Sequence, residues 1–239
     1  MGRANRLLSG KVSAIATSLP GVLDRDPELA KKTTTTGTPM RPAILAAAAV
    51  PYTAPDLTAP LRVLVVGGSQ GARIMADIVP PAIEKLEPSL WSRLVLTQQV
   101  REEDMPRVRA VYDQLKIKAE LAPFFSDLPA RLASSQLVIS RAGAGTVAEL
   151  AAIGRPSILV PLPGALDQDQ FANAGVLADA GGALRIPQSE FTPPRLASEI
   201  SALAGEPVRL KDMARSAAKI GRLDAADRLA DLVARTAGI

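Results

Sequence analysis

Three short turns concentrate the residues able to bind or transform a ligand. The first, Gly67-Gly68-Ser69-Gln70-Gly71-Ala72, sets glycines beside a hydroxyl and an amide. Glycines let a backbone approach a ligand closely, and the free N–H groups where a helix begins attract phosphate. The same glycines also suit a bare, tight strand-to-helix turn. The second, Ser140-Arg141-Ala142-Gly143-Ala144-Gly145-Thr146, again exposes a helix start, and Arg141 adds a permanent charge. Glu149 follows one helical turn beyond Gly145. There a carboxylate can accept two ribose hydroxyls, or simply complement the helix dipole. The third turn runs from Pro161 to Gln170 and ends in Asp167-Gln168-Asp169-Gln170. Such dense polar groups suit sugar hydroxyls. The Asp-x-Asp spacing also admits Mg²⁺ or Mn²⁺ bridging a nucleotide diphosphate, or plain N-capping by Asp167.

Other chemistry is ruled out by what the 239 residues lack. With no cysteine there is no disulfide, thiolate metal site or thiol nucleophile, and with no histidine no Ser-His-Asp triad or imidazole base. Any proton transfer within this chain falls to carboxylates, Lys or Tyr. A dinucleotide site asks for Gly-x-Gly-x-x-Gly and an acid ending the next strand. The glycine spacing here differs and that strand ends in Thr97-Gln98-Gln99, which argues against NAD.

The elements that must hold these turns follow a regular pattern from Leu61 onward. Strands are expected at Leu61–Val66, Leu94–Thr97, Ala119–Phe125, Gln136–Ser140, Ser157–Pro161 and Ala183–Ile186. Helices are expected over Ile74–Leu86, Glu102–Leu115, Asp127–Ala133, Gly145–Ile153 and Gln168–Ala180, and after Pro193 and Pro207. Pro80 and Pro81 should break or bend the first of them. Alternating strands and helices mean βαβ units, and right-handed crossovers make them an open, doubly wound α/β domain with a parallel sheet. Ligands then bind at the carboxyl ends of its strands, where all three turns fall.

Residues 1–60 do not continue that pattern. They read as a helix running into a strand over Asn5–Thr17, a polar loop at Thr33–Thr36, a short helix at Ala43–Val50 and a linker from Pro51 to Pro60. A lone strand and a lone helix make no core, so the segment reads as the end of another domain followed by a linker, and residues 61–239 as the ligand-binding domain. The first 60 residues carry 7 basic and 4 acidic groups against 21 and 20 in the rest. A body so nearly neutral, with 3% aromatic residues, is no footprint of a nucleic-acid binder. The longest apolar run, Ala43–Val50, is far short of the roughly 20 residues a bilayer span needs. No signal-peptide core follows the basic start. The chain reads as cytoplasmic, its basic N-terminal segment suited at most to an anionic membrane surface.

The three turns, in this order, resemble the donor-binding half of the MurG family of peptidoglycan glycosyltransferases. GRANR (Gly2–Arg6), GTPMRP (Gly37–Pro42), GGSQGA (Gly67–Ala72), PFFSDL (Pro123–Leu128), RAGAGTVAEL (Arg141–Leu150) and DQDQ with Asn173 carry the resemblance. It implies the C-terminal half of a GT-B fold, with two Rossmann-like domains across a cleft. The implied reaction is an inverting, metal-independent transfer of N-acetylglucosamine from UDP-N-acetylglucosamine to undecaprenyl-diphosphate-muramyl-pentapeptide. It needs no cofactor and takes place peripherally on the cytoplasmic face of the inner membrane. The donor site implied comprises Arg41, Ser69, Gln70, Gly71, Phe125, Arg141, Ala144, Gly145, Thr146, Val147, Ala148, Glu149 and Gln170. Within it Ser69, the following turn and Thr146 would meet the diphosphate, and the Phe125 backbone the uracil. Glu149 would hold the ribose, Gln170 the sugar hydroxyls, and Arg41 would reach the donor from the interdomain segment. The family's acceptor domain, with its histidine and its membrane-facing patch, would precede residue 1.

Two other readings share the fold. One is a nucleotide-sugar-binding module without transferase activity; the other is a nucleotide-sugar epimerase, which would act on the donor with no lipid acceptor.

Overall fold

The computed structural model describes residues 3–24, 26–68, 72–164 and 169–239. The first elements are α1 (Arg3–Ser9), β1 (Ile15–Thr17), α2 (Pro27–Ala30), β2 (Thr33–Thr35) and α3 (Pro42–Ala48). Thr33–Thr35, expected as loop, is a strand pairing in parallel with β1. Threonine is β-branched and stiff at χ1, which favours extended backbone even without alternating polarity. A contact between the Thr17 and Thr35 hydroxyls at 3.2 Å adds a side-chain rung.

From residue 61 the order is β3 (Leu61–Val66), α4 (Arg73–Glu84), α5 (Pro88–Trp91), β4 (Leu94–Gln99), α6 (Met105–Gln114), β5 (Lys118–Ala122), α7 (Leu128–Ser134), β6 (Leu137–Ser140), α8 (Ala144–Ile153), β7 (Ser157–Leu159), α9 (Asp169–Asp179), β8 (Ala183–Arg185), α10 (Pro193–Gly205), α11 (Pro207–Ile220) and α12 (Ala225–Ala237). β3 to β8 form one parallel sheet ordered β5-β4-β3-β6-β7-β8. This is the Rossmann order, in which the chain works outward from a central strand, returns, and works outward the other way. Side chains alternate across the pleat. Leu61, Val63 and Val65 therefore enter the core under α4, α6 and α10, while Leu64 and Val66 enter the core under α8 and α9. Ile44 and Ala47 of α3, with Leu19, are buried in that second core, so the first 60 residues share it.

Two features depart from simple expectation. Helix α4 runs unbroken through Pro80 and Pro81. A proline four residues on cannot donate to the Ala76 carbonyl. Arg107 replaces the lost donor, its Nη1 reaching that carbonyl at 2.9 Å. Asp77 and Asp104 hold the same guanidinium. The last helix, α12, lies beyond every helix expected from the sequence and turns back toward the first elements. Arg228 Nη2 donates to the Thr35 carbonyl at 3.0 Å. Gly37 has φ +87, and a Cβ there would stand 2.7 Å from the Arg222 Cβ, so the approach requires glycine.

The buried charge Arg155 joins the parts. It is 1% exposed and donates only to carbonyls: Leu132 and Ala133 near the end of α7, Ile153 and Gly154 at the end of α8, and Val50 just past α3. Three helix carboxyl ends, each carrying partial negative charge, converge on one cation. Tyr52 lies against it, with 5.4 Å from the guanidinium to the ring centroid. Lysine has fewer donors and no planar fork. Arg155→Lys should lower unfolding stability in urea by roughly 2 kcal/mol or more, since each buried acceptor left unpaired costs ~1–3 kcal/mol. A change below about 0.5 kcal/mol would assign the site no structural weight.

Candidate functional site

The strand order reverses between β3 and β6, and there the crevice opens. Val66 and Ser140 are their last paired residues. Beyond them the Gly67–Gly68 turn leads toward α4 and the Arg141–Gly143 turn leads into α8. Gly68 has φ +96, a conformation glycine adopts without strain. The cleft between the turns holds about 710 Å³ and is lined by Gly67, Gly68, Ala72, Arg141, Gly143, Thr146, Leu162, Gln170 and Gln188, among others. Helix α8 begins after Gly143 with no side-chain cap, its first internal bond running from Val147 N–H to the Gly143 carbonyl. The amides of its first turn therefore face this end with no side-chain acceptor supplied at the N-cap.

Carboxamides hold the turns in place. Gln170 Oε1 accepts from the Ala142 N–H at 3.2 Å and the Leu162 N–H at 3.0 Å, and Asn173 Nδ2 donates to the Ala142 carbonyl at 3.2 Å. Both residues stand on α9, three positions apart and so on one face. On the other side Gln99 Oε1 accepts from the Gly67 N–H at 3.0 Å. Gln99 carries no functional reading in the sequence, and Asn173 enters there only as part of the motifs that carry the resemblance. The paired glutamines ending β4 carried a signal: two long amides, 0% and 6% exposed, need partners at once.

The sequence-predicted residues divide by place. Thr146, Arg141 and Gln170 border the cleft. The Arg141 guanidinium is already engaged, donating to the Val160 and Pro161 carbonyls at 3.2 and 3.3 Å and to Gln188 Oε1 at 2.7 Å. Burial lowers its pKa. Ala144 and Gly145 open α8, Ala144 also lining a neighbouring cavity of about 440 Å³ against α1 and β1. Val147 and Ala148 are buried, so neither side chain faces the cleft, and the Val147 N–H is already bonded to the Gly143 carbonyl. Glu149 pairs with Arg41, Nη2 to Oε1 at 3.1 Å. Pro42 starts α3 and leaves Arg41 extended before it. Phe125 lies in the loop after β5, its ring buried under Arg131 at 4.3 Å. Glu120 and Asp127 hold Arg131 from two sides at 2.6–2.8 Å. Those bonds lower both carboxyl pKa values and raise that of the guanidinium. Ser69, Gln70, Gly71, Asp167 and Gln168 lie outside the described residues. Among the described residues no group of three or more carboxylates stands close enough to hold a metal ion, and no helix is long and apolar enough to cross a membrane.

A parallel sheet in Rossmann order with two small-residue turns at its switch point defines a doubly wound α/β domain. Residues 62–229 match the glycosyltransferase family 28 C-terminal domain. The chain belongs to that family, and the resemblance read from its motifs holds. It is 78% identical over 239 residues to the UDP-N-acetylglucosamine--N-acetylmuramyl-(pentapeptide) pyrophosphoryl-undecaprenol N-acetylglucosamine transferase of Bradyrhizobium diazoefficiens, covering all of this chain and 65% of that protein. A Rhodopseudomonas palustris protein of the same description is 78% identical over the same length. The crystal structure of Acinetobacter baumannii MurG matches 98% of this chain and 64% of its own, at 29% identity and a TM-score of 0.79. The chain thus spans about 65% of the length of its curated relatives.

The double role of Gln170 is open to test. Gln170→Ala leaves two turn amides without their acceptor and should lower stability by about 1–2 kcal/mol, whereas Gln170→Glu keeps an acceptor and should stay within about 0.5 kcal/mol of the parent in urea titration. Equal losses for both variants would contradict the bracing role.

Proposed function

We propose that this chain supplies the donor half of an enzyme transferring N-acetylglucosamine from UDP-N-acetylglucosamine to undecaprenyl-diphosphate-muramyl-pentapeptide in peptidoglycan synthesis. The observation that carries this reading is the meeting, at the switch point, of the Gly67–Gly68 turn with the side-chain-uncapped start of α8, Thr146 beside them and Glu149 one turn further in. Helix N-termini of this kind stabilise a diphosphate without a metal ion. Glu149, 21% exposed at its side chain, has Oε1 on Arg41 and Oε2 to offer a ribose hydroxyl. Ser69 through Gly71, Thr146 and the free first-turn amides of Ala144 and Gly145 receive the diphosphate, with Val147 and Ala148 closing the helix behind them. The Phe125 backbone reads the uracil and Gln170 the sugar. Arg141 stabilises the site through its carbonyl ties, and Arg41 reaches the donor from the segment before α3.

The chemistry is an inverting displacement. The acceptor hydroxyl attacks the anomeric carbon from the face opposite the diphosphate, the C–O bond to UDP breaks, and the helix ends and Thr146 stabilise the charge on the departing oxygen. The acceptor site and the base that takes its proton are placed, on this reading, outside these 239 residues. Work on a lipid-linked acceptor implies a peripheral position on the cytoplasmic face of the membrane.

Three outcomes follow. UDP affinity measured by calorimetry should be the same with and without EDTA; a loss beyond tenfold with chelator would restore a metal bridge at Asp167-x-Asp169. Glu149→Ala should weaken UDP binding by roughly 1.5–3 kcal/mol, the contribution of a hydrogen bond to a charged group. Unchanged affinity in a folded variant would leave Glu149 a dipole partner, worth about 0.3–1 kcal/mol of stability alone. With labelled donor and lipid-linked acceptor, the 239-residue chain by itself should show at most slow donor hydrolysis. Acceptor positioning supplies ~7–11 kcal/mol of barrier reduction, and a general base a further ~10²–10⁴-fold. Transfer at the rate of an intact relative would place the base on Glu149 or one of the aspartates.

A further inference from the structure

β4 lies between β3 and β5, and its last residue, Gln99, is in register with Ala122 of β5. Past that rung both neighbours leave the sheet, β3 into the Gly67 turn and β5 into the Pro123–Phe125 loop. The Gln99 side chain follows both. Its Oε1 accepts from the Gly67 N–H at 3.0 Å and its Nε2 donates to the Pro123 carbonyl at 3.1 Å. A backbone N–H only donates and a carbonyl only accepts, so one orientation of the carboxamide satisfies both. The side chain thus acts as one more backbone rung, joining two segments that the ladder has released.

Those segments are the ones that meet opposite ends of the nucleotide, and the inference rests on that reading. We propose that Gln99 is a positioning residue for base recognition. It fixes the Phe125 backbone against the Gly67 turn, so that uracil edge and diphosphate are read in one rigid frame. The far side of the loop is already braced by Arg131 over the Phe125 ring; Gln99 sets the near side. Uracil presents a donor at N3 and an acceptor at O4, and cytosine reverses both. Backbone groups held in place reject the reversed edge because they would be left unpaired, whereas a loop free to shift accommodates it.

The test is calorimetry of the 239-residue chain with UDP and with CDP, whose ratio cancels any change in charge or in diphosphate contact. Gln99→Glu keeps an acceptor toward Gly67 but sets an oxygen against the Pro123 carbonyl; Gln99→Met removes both bonds. Each variant should lower the UDP-over-CDP preference at least fivefold. Parallel losses for the two ligands, with the preference intact, would overturn the proposal and leave Gln99 a scaffold residue. So would failure of both variants to fold. Absence of any UDP preference in the parent chain would overturn the donor-site reading itself, a result visible before any variant is made.

Discussion

A parallel sheet satisfies its backbone only as far as its strands run together. Where the chain leaves the carboxyl edge, N–H and C=O groups lose their rungs at the very place where turns must stay open for a ligand. This chain meets the constraint with neutral amides. Gln99 serves Gly67 and Pro123, while Gln170 and Asn173 serve Ala142 and Leu162. At the opposite edge Gln136 does the same for Arg62, through its side chain at 2.9 Å. Because these carboxamides carry no charge, they add nothing that opposes the partial positive charge of the α8 start.

Arginines brace the scaffold in the same way. Arg155 stands among carbonyls alone, gathering the ends of three helices, and Arg107 mends the ladder that Pro80 breaks. Arg131 stiffens the Phe125 loop between two carboxylates. In each case a planar fork of donors reaches several acceptors together, a geometry that ammonium groups do not reproduce.

The sequence announced the sheet because buried parallel strands read as apolar runs, as in Leu61–Val66 and Leu137–Ser140. It announced the turns because glycines clustered where strands ended. It did not announce β2, whose three threonines lack alternation, nor the continuity of α4, which depends on an arginine 27 residues beyond Pro80. The site's supports were hidden for the same reason: Gln99 and Gly67 are 32 positions apart, and Gln170 and Ala142 are 28 apart. Local pattern predicts where a backbone must open. Which distant side chain then holds it open depends on packing.

The tie between Arg228 and Thr35 spans 193 positions. During synthesis at about 5–20 residues per second, the β1–β2 pair would wait roughly 10–40 s for that partner to be made. The large sheet can close in the meantime, its last strand ending at Arg185. Within this stretch, assembly therefore runs against the order of the chain: Thr35 gains this contact only after residues far beyond it have closed the sheet.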